Sequence, residues 1–182
     1  MKVPDVATLT VASEAAARRL QRTITRQPDS LGGDARVDLV INAPPPAVWA
    51  VLADGAAYAD WVVGTAEVRT VDEDWPAEGA QLYYSAGVWP LLADGVTTVR
   101  ECVPEERLVL QVQVWPAGSV RVVITLEPVP GAPVSTRVHL DEHPWSGLVR
   151  ALHTPLASAG FAARGTVVLA ALANEVEQRV GQ

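Results

Sequence analysis

The sequence predicts an α+β fold in which a series of antiparallel strands is followed by a long C-terminal helix. Short segments of alternating apolar and polar residues recur from residue 65 to residue 141, and turn-forming residues separate them. From Ser146 to about Gln178 the apolar residues recur at helical spacing instead. A length of 182 residues suits one domain with an appended segment.

The segment 36–64, RVDLVINAPPPAVWAVLADGAAYADWVVG, predicts a strand, a short helix and a further helical turn. The prolines at 44–46 end the strand and suit the first turn of a helix, where the N–H groups that proline lacks would have no helical partner. Tyr58 and Trp61 end the unit. The apolar residues of the strand share one face: Val37, Leu39 and Ile41.

The alternating segments after this unit predict a meander of antiparallel strands. Asp94-Gly95 predicts the end of a bend before the third of these strands, and Pro155 predicts a kink or interruption of the C-terminal helix. The predicted strands cover residues 65–71, 81–88, 96–103, 108–115, 120–127 and 135–141. The apolar stripe predicted for the helix comprises Leu148, Leu152, Leu156, Ala159, Ala163, Val167, Ala171 and Asn174.

The opening unit resembles that of the START-like superfamily, also called the SRPBCC, helix-grip or Bet v1-like fold. The resemblance is greatest to the polyketide cyclase/dehydrase and lipid-transport-like branch and covers roughly residues 34–180. It implies a curved antiparallel sheet wrapped around the C-terminal helix, with a cavity between them. The residues that carry it are Ala43-Pro44, Val48-Trp49, Tyr58, Trp61 and the strand 65–71.

Residues 1–33 are predicted to be an N-terminal helical extension and linker, and residues 34–182 the START-like domain. Apolar residues of the extension recur at helical spacing, and four arginines lie on the other side of this predicted helix. The helix could dock on its own domain, bind a protein partner or a second copy, or contact nucleic acid or a membrane.

Composition narrows the functional classes. The net charge of −7 disfavours binding to nucleic acid, which needs a basic face. The sequence has neither an apolar run long enough to cross a bilayer nor the apolar core of a signal peptide, so stable membrane insertion and export are not expected. Cys102 is the one cysteine, which suits a reducing compartment. We therefore expect a cytoplasmic protein.

The sequence contains no glycine-rich phosphate loop, serine-hydrolase elbow, HExxH motif or Cys/His cluster, so no cofactor or metal is expected. His139, Asp141 and His143 alternate along the end of the last predicted strand and could bind a divalent metal or relay protons. The favoured alternative is that they face solvent, because Val138 and Leu140 form the apolar face.

The resemblance implies that a small hydrophobic ligand, such as a lipid, a quinone or a polyketide-like molecule, binds in the cavity. The sequence does not settle which of Tyr83 and Tyr84 points inward, since a bulge reverses the alternation. The residues expected to contact the ligand are Trp61, Tyr83, Trp115, Leu152, His153 and Leu156.

Two other functions remain open at this stage. An aromatase/cyclase-type enzyme would need an acid/base group and donors that stabilise an enolate, and Tyr83, His153 and Arg100 are the candidates. A regulatory protein-interaction module would use the N-terminal helix as its contact.

We expect that His153→Ala leaves ligand binding intact if the protein is purely a binding module. Binding of a hydrophobic probe and turnover of a polyketide-like substrate would be measured on the same preparations. Loss of turnover with unchanged binding would contradict the binding-module interpretation and support catalysis.

Overall fold

The computed structural model describes residues 35–88, 90–116, 118–148 and 155–181. The predicted N-terminal extension, residues 1–33, and two of the predicted ligand contacts, Leu152 and His153, lie outside the described residues. Their roles stay predictions.

Strands dominate the described chain, and a short helical segment follows the first of them. In chain order the elements are β1 (Ala35–Ile41), α1 (Pro45–Leu52), a 3₁₀ turn (Gly55–Ala57), α2 (Tyr58–Trp61), β2 (Thr65–Val71), β3 (Gln81–Val88), β4 (Leu91–Val103), β5 (Arg107–Val114), β6 (Gly118–Val129), β7 (Ala132–Ser146) and α3 (Pro155–Val180).

The seven strands form one sheet in the order β1-β7-β6-β5-β4-β3-β2. Every neighbouring pair is antiparallel, and register shifts within three of these pairs introduce irregularities that bend a sheet. Because β1 and β2 lie at opposite edges, the sheet is not closed, and α1 and α2 carry the chain from one edge to the other. The predicted α+β helix-grip class is confirmed.

The opening unit folds as its sequence predicts. The side chains of Val37, Leu39 and Ile41 are buried on one face of β1. Helix α1 begins at Pro45, after the extended residue Pro44. The buried Thr136 hydroxyl of β7 donates a 2.7 Å hydrogen bond to the Ala43 carbonyl oxygen, which holds the end of β1 to its neighbour.

The apolar stripe predicted for α3 is wrong where the structure describes its side chains, except at Ala171, which packs partly buried against the core. Ala159, Ala163, Val167 and Asn174 are exposed in the structure. The face of α3 that is buried comprises Gly165, Val168, Leu169, Leu172 and Val176. The physical reason lies at Gly165, where an added Cβ would stand 2.9 Å from Val37 Cγ2 and 3.4 Å from Leu140 Cδ2. At Gly165 the helix lies so close to the sheet that a side chain would not fit without a shift of Val37, and the apolar pattern alone does not reveal such a position.

Strands β4, β6 and β7 are longer than predicted, and β6 extends by two residues at each end. β4 begins at Leu91, so Asp94-Gly95 lies within the strand and not in a bend. A Cβ on Gly95 would lie 2.4 Å from Tyr84 Cζ, so this glycine makes room for an aromatic ring. β7 continues past its predicted end to Ser146, because pairing with β6 extends to that residue.

We expect Gly165→Val to lower the free energy of unfolding by about 2 kcal/mol, because the added methyl groups overpack the contact with Val37. Gly160→Val is the matched control on the same helix, where an added Cβ meets nothing within 4 Å. Its stability should change by less than about 0.5 kcal/mol, since valine has a slightly higher helix propensity than glycine. Urea unfolding measures both, and equal losses would contradict the close approach of α3.

Candidate functional site

A cavity of about 260 Å³ lies between the concave face of the sheet and the helices α2 and α3. Most of its lining is apolar, because strand alternation sends every second residue of β5, β6 and β7 inward. The inward aliphatic residues are Leu110, Val112, Val120, Val122, Ile124 and Leu140.

The helices and one connection complete the lining. Tyr58 and Trp61 of α2 and the connection from Val62 to Thr65 contribute one side. Helix α3 contributes Phe161, Arg164 and Val168, and β3 contributes Tyr84 and Ala86.

An ion pair lies in this largely apolar lining. Arg164 Nη1 donates a 2.5 Å hydrogen bond to Glu142 Oε1, and Arg164 Nη2 donates a 3.2 Å hydrogen bond to the Val63 carbonyl oxygen. The Glu142 side chain is 4% exposed and that of Arg164 38% exposed. The guanidinium therefore links β7 to the connection after α2, and it is open to solvent on one side.

Burial and charge act in opposite directions on Glu142. Removal from water raises the pKa of its carboxyl group, whereas the charge and the hydrogen bond of Arg164 lower it. Burial is the larger effect, so the pKa lies above its ordinary value. A carboxyl group of this kind in a cavity has a property that acid/base catalysts share.

Three polar atoms of cavity-lining residues are buried without a hydrogen-bond partner among the described residues. They are Glu142 Oε2, Trp61 Nε1 and Thr65 Oγ1. Such groups are rare in folded proteins because leaving a buried donor or acceptor unpaired costs about 1–3 kcal/mol.

A cluster of aromatic rings supports the cavity from α2. Tyr58 lies edge-on to Trp61 at 5.5 Å between ring centroids and contacts Tyr84 at 5.7 Å. The Tyr58 hydroxyl and Thr97 Oγ1 share a buried hydrogen bond of 3.0 Å. Burial raises the pKa of both tyrosines, so both hydroxyls stay neutral at ordinary pH.

The residues predicted from the sequence to form the site are dispersed. Trp61 lines the cavity and is 4% exposed, and its role as a ligand contact stays a prediction. Tyr83 is 39% exposed and donates to Gln81 Oε1, because the register of β3 turns Tyr84 inward. Trp115 is 75% exposed in the turn between β5 and β6, and Arg100 is exposed on β4. Leu156 lies in α3, in the part whose side chains are not described.

Sequence reasoning missed the polar pair and its position. Glu142 follows Val138 and Leu140 at even spacing, so a charged residue at an inward position was available as a signal. The predicted strand ends at Asp141, one residue before Glu142, so the alternation is not followed as far as this residue. Arg164 could not be found, because the predicted face of α3 was wrong.

His139, Asp141 and His143 lie on the face of β7 opposite Val138, Leu140 and Glu142, as the alternation predicts, but they are only partly exposed to solvent. The side chains of His139 and Asp141 are 13% and 20% exposed. His139 Nε2 lies 3.4 Å from Glu127 Oε2. Within the described ranges no group of three or more His, Cys, Asp or Glu side chains could hold a metal ion. The described helices include none that is long and apolar enough to span a membrane.

A sheet that encloses a largely apolar cavity against a C-terminal helix, with one ion pair in the lining, defines a helix-grip domain of the START-like class. The chain belongs to the family described as polyketide cyclase/dehydrase and lipid transport, whose model matches residues 33–177. No functionally curated protein is significantly similar to it in sequence.

Solved structures share the fold at low sequence identity. A START superfamily protein from Mycobacterium smegmatis is 16% identical, with a TM-score of 0.65 over 80% of this chain and 97% of that chain. The Zhui aromatase/cyclase from Streptomyces sp. R1128 is 20% identical, with a TM-score of 0.60 over 81% of this chain and 94% of that chain. A conserved protein from Geobacillus kaustophilus is 14% identical, with a TM-score of 0.62 over 80% and 95%.

We expect Arg164→Met to destabilise the protein by about 2 kcal/mol at pH 8, because Glu142 would remain buried without its cation. This value lies between those of fully buried and exposed pairs, since Arg164 is partly exposed. The native pKa of Glu142 is raised, so its proton is held to a higher pH in the folded than in the unfolded chain. Without Arg164 the pKa rises further, and the loss should shrink as pH falls from 8 to 5.

Urea unfolding at pH 8 and pH 5 tests this expectation. Arg179→Met is the control, because Arg179 pairs with Asp54 and Glu175 at the surface and its loss should cost less than about 1 kcal/mol. A loss for Arg164→Met that is the same at both pH values would show that Glu142 carries no charge that needs this partner.

Proposed function

We propose that this protein binds a small hydrophobic molecule in the cavity between the sheet and α3. The observation that carries the proposal is the cavity of about 260 Å³, whose lining is aliphatic and aromatic except around Glu142 and Arg164. A cavity with apolar walls and a few polar groups is the usual form of a small-molecule site.

The size of the cavity favours a compact ligand. Its volume lies just below the range of about 300–1,000 Å³ that is usual for drug-sized ligands. Burial of about 250 Å² of apolar ligand surface would contribute roughly 6 kcal/mol at about 25 cal/mol per Å². Part of this is lost to the restricted motion of the ligand, so micromolar to millimolar affinity is expected before polar contacts are added.

The family description supports two of the three ligand classes predicted from the sequence, a lipid and a polyketide-like molecule, whereas a quinone rests on the sequence resemblance alone. The similar fold of an aromatase/cyclase is compatible with the last of these. A location in the cytoplasm belongs to the same proposal and rests on the low cysteine content of the chain.

An enzyme of the cyclase/dehydratase type is the second candidate, and Glu142 favours it. The Glu142 carboxylate is a stronger base because burial raises its pKa, so it could take up a proton from the carbon next to a ligand carbonyl. Arg164 could then stabilise the resulting enolate oxygen. Glu142→Gln that binds ligand but no longer converts it would support this candidate.

Native mass spectrometry of the protein purified from its own host tests the proposal directly. A retained hydrophobic molecule, released and identified, would support binding and give the ligand class. A protein that retains none and shows no saturable binding of hydrophobic probes would contradict it.

We expect Ala86→Phe to abolish ligand binding while the domain stays folded, because Ala86 faces the cavity and a phenyl ring would occupy much of it. Ser85→Phe is the matched control, since its side chain points to the other face of β3. Probe affinity and cooperative thermal unfolding would be measured for both. Equal affinity in the two variants would place the binding site elsewhere.

A further inference from the structure

The unpartnered polar atoms of the cavity are the starting point. Glu142 and Trp61 are 3% and 4% exposed, and neither Glu142 Oε2 nor Trp61 Nε1 has a hydrogen-bond partner among the described residues. Both residues line the cavity, as does Thr65, whose hydroxyl oxygen is likewise unpartnered within that part of the chain. A polar group buried without a hydrogen bond destabilises the protein, and a ligand that supplies the bond removes this cost.

Arg164 connects the two parts of the chain that carry these atoms. Arg164 binds Glu142 with one nitrogen and the Val63 carbonyl with another. Val63 lies between Trp61 and Thr65 in the chain, so a single guanidinium joins the carboxylate to that segment. We call Glu142, Arg164, Trp61 and Thr65 the polar corner.

The chemistry of the polar corner restricts what can bind there. A carboxylate oxygen only accepts hydrogen bonds, an indole N–H only donates, and a threonine hydroxyl does both. A ligand must therefore offer a donor to Glu142 and an acceptor to Trp61. A hydroxyl group meets both demands, a hydrocarbon meets neither, and an ionised carboxylate has no donor for Glu142.

The charge of the polar corner points the same way. Arg164 and Glu142 neutralise each other, and two of the guanidinium nitrogens already donate to Glu142 and Val63. A second anion would lie beside the free oxygen of Glu142, where like charges in an apolar surrounding repel strongly.

We propose that the cavity selects a neutral hydroxyl-bearing apolar molecule, a phenol or an alcohol, over both the hydrocarbon and the carboxylate of the same ring skeleton. This inference rests on the proposed function and adds the polar group of the ligand. The hydroxyl donates to Glu142 Oε2, and its oxygen accepts from Trp61 Nε1 or Thr65 Oγ1.

Three probes of one skeleton test the selection at pH 7.5, where 2-naphthol is neutral and 2-naphthoate is ionised. The full chain is titrated with 2-naphthol, 2-naphthoate and naphthalene, and dissociation constants are obtained from protein chemical shifts. We expect 2-naphthol to bind about tenfold more tightly than the other two, a difference of about 1.4 kcal/mol, because only its hydroxyl can donate a hydrogen bond to the Glu142 carboxylate.

The outcomes separate the two proposals. Equal or tighter binding of naphthalene or 2-naphthoate would overturn the selection while leaving hydrophobic binding in place. No saturable binding of any of the three would count against both.

Two variants test whether Glu142 and Trp61 cause the preference for 2-naphthol. In Glu142→Gln the amide can donate, so the ratio of 2-naphthol to 2-naphthoate affinity should fall at least fivefold. Glu127→Gln is the control, because Glu127 is exposed and pairs with His139 outside the cavity. Trp61→Phe keeps a ring but removes the N–H donor, so it should weaken 2-naphthol severalfold more than naphthalene. This second variant keeps the test decisive if Glu142→Gln fails to fold, and unchanged affinity ratios in Trp61→Phe would overturn the role of its N–H.

Discussion

The close contact between α3 and the sheet at Gly165 is the constraint on which the rest of the structure depends. Without a side chain at this position, the helix comes within van der Waals distance of Val37 and Leu140. The turns that follow bury Val168, Leu169, Leu172 and Val176. Phe161, Arg164 and Val168 line the cavity, so one helix supplies both part of the packed core and part of the cavity lining. Moving the helix away would open the cavity and separate Arg164 from Glu142.

The Glu142–Arg164 pair is better explained by the proposed ligand binding than by stability. Placing a carboxylate in an apolar cavity costs free energy, and a buried pair is often no more stable than apolar residues of the same size. The second oxygen of Glu142 has no partner among the described residues, which adds to that cost. A hydroxyl group on a ligand would supply the missing hydrogen bond to Glu142 Oε2. The unpartnered oxygen would therefore lower the stability of the empty domain and raise its affinity for such a ligand. Arg164 also ties β7 to the connection after α2, which gives the cavity a fixed polar end.

Particular residues show how far sequence reasoning reaches. The alternation predicts the buried face of β1 correctly, with Val37, Leu39 and Ile41 inside. The prolines at 44–46 likewise predict the start of α1. The adjacent Tyr83 and Tyr84 left the inward residue open, because a strand pattern specifies two faces without saying which one meets the cavity. Asp94-Gly95 resembles a turn in sequence, yet this glycine makes room within a strand for the Tyr84 ring. The predicted stripe on α3 used apolar residues, whereas a glycine marks the true contact.

By itself, the sequence determined the class of the fold, the order of its elements and the presence of a C-terminal helix facing a meander. These follow from local periodicity and from backbone limits at proline, which act within a few residues of one another. The tertiary structure alone decided which residues share the cavity. Glu142, Arg164 and Trp61 come from a strand, a distant helix and a four-residue helix, and they meet only because strand register and the approach at Gly165 bring them together. Strand register and the approach of α3 both depend on contacts between residues far apart in the chain, which no local sequence pattern specifies.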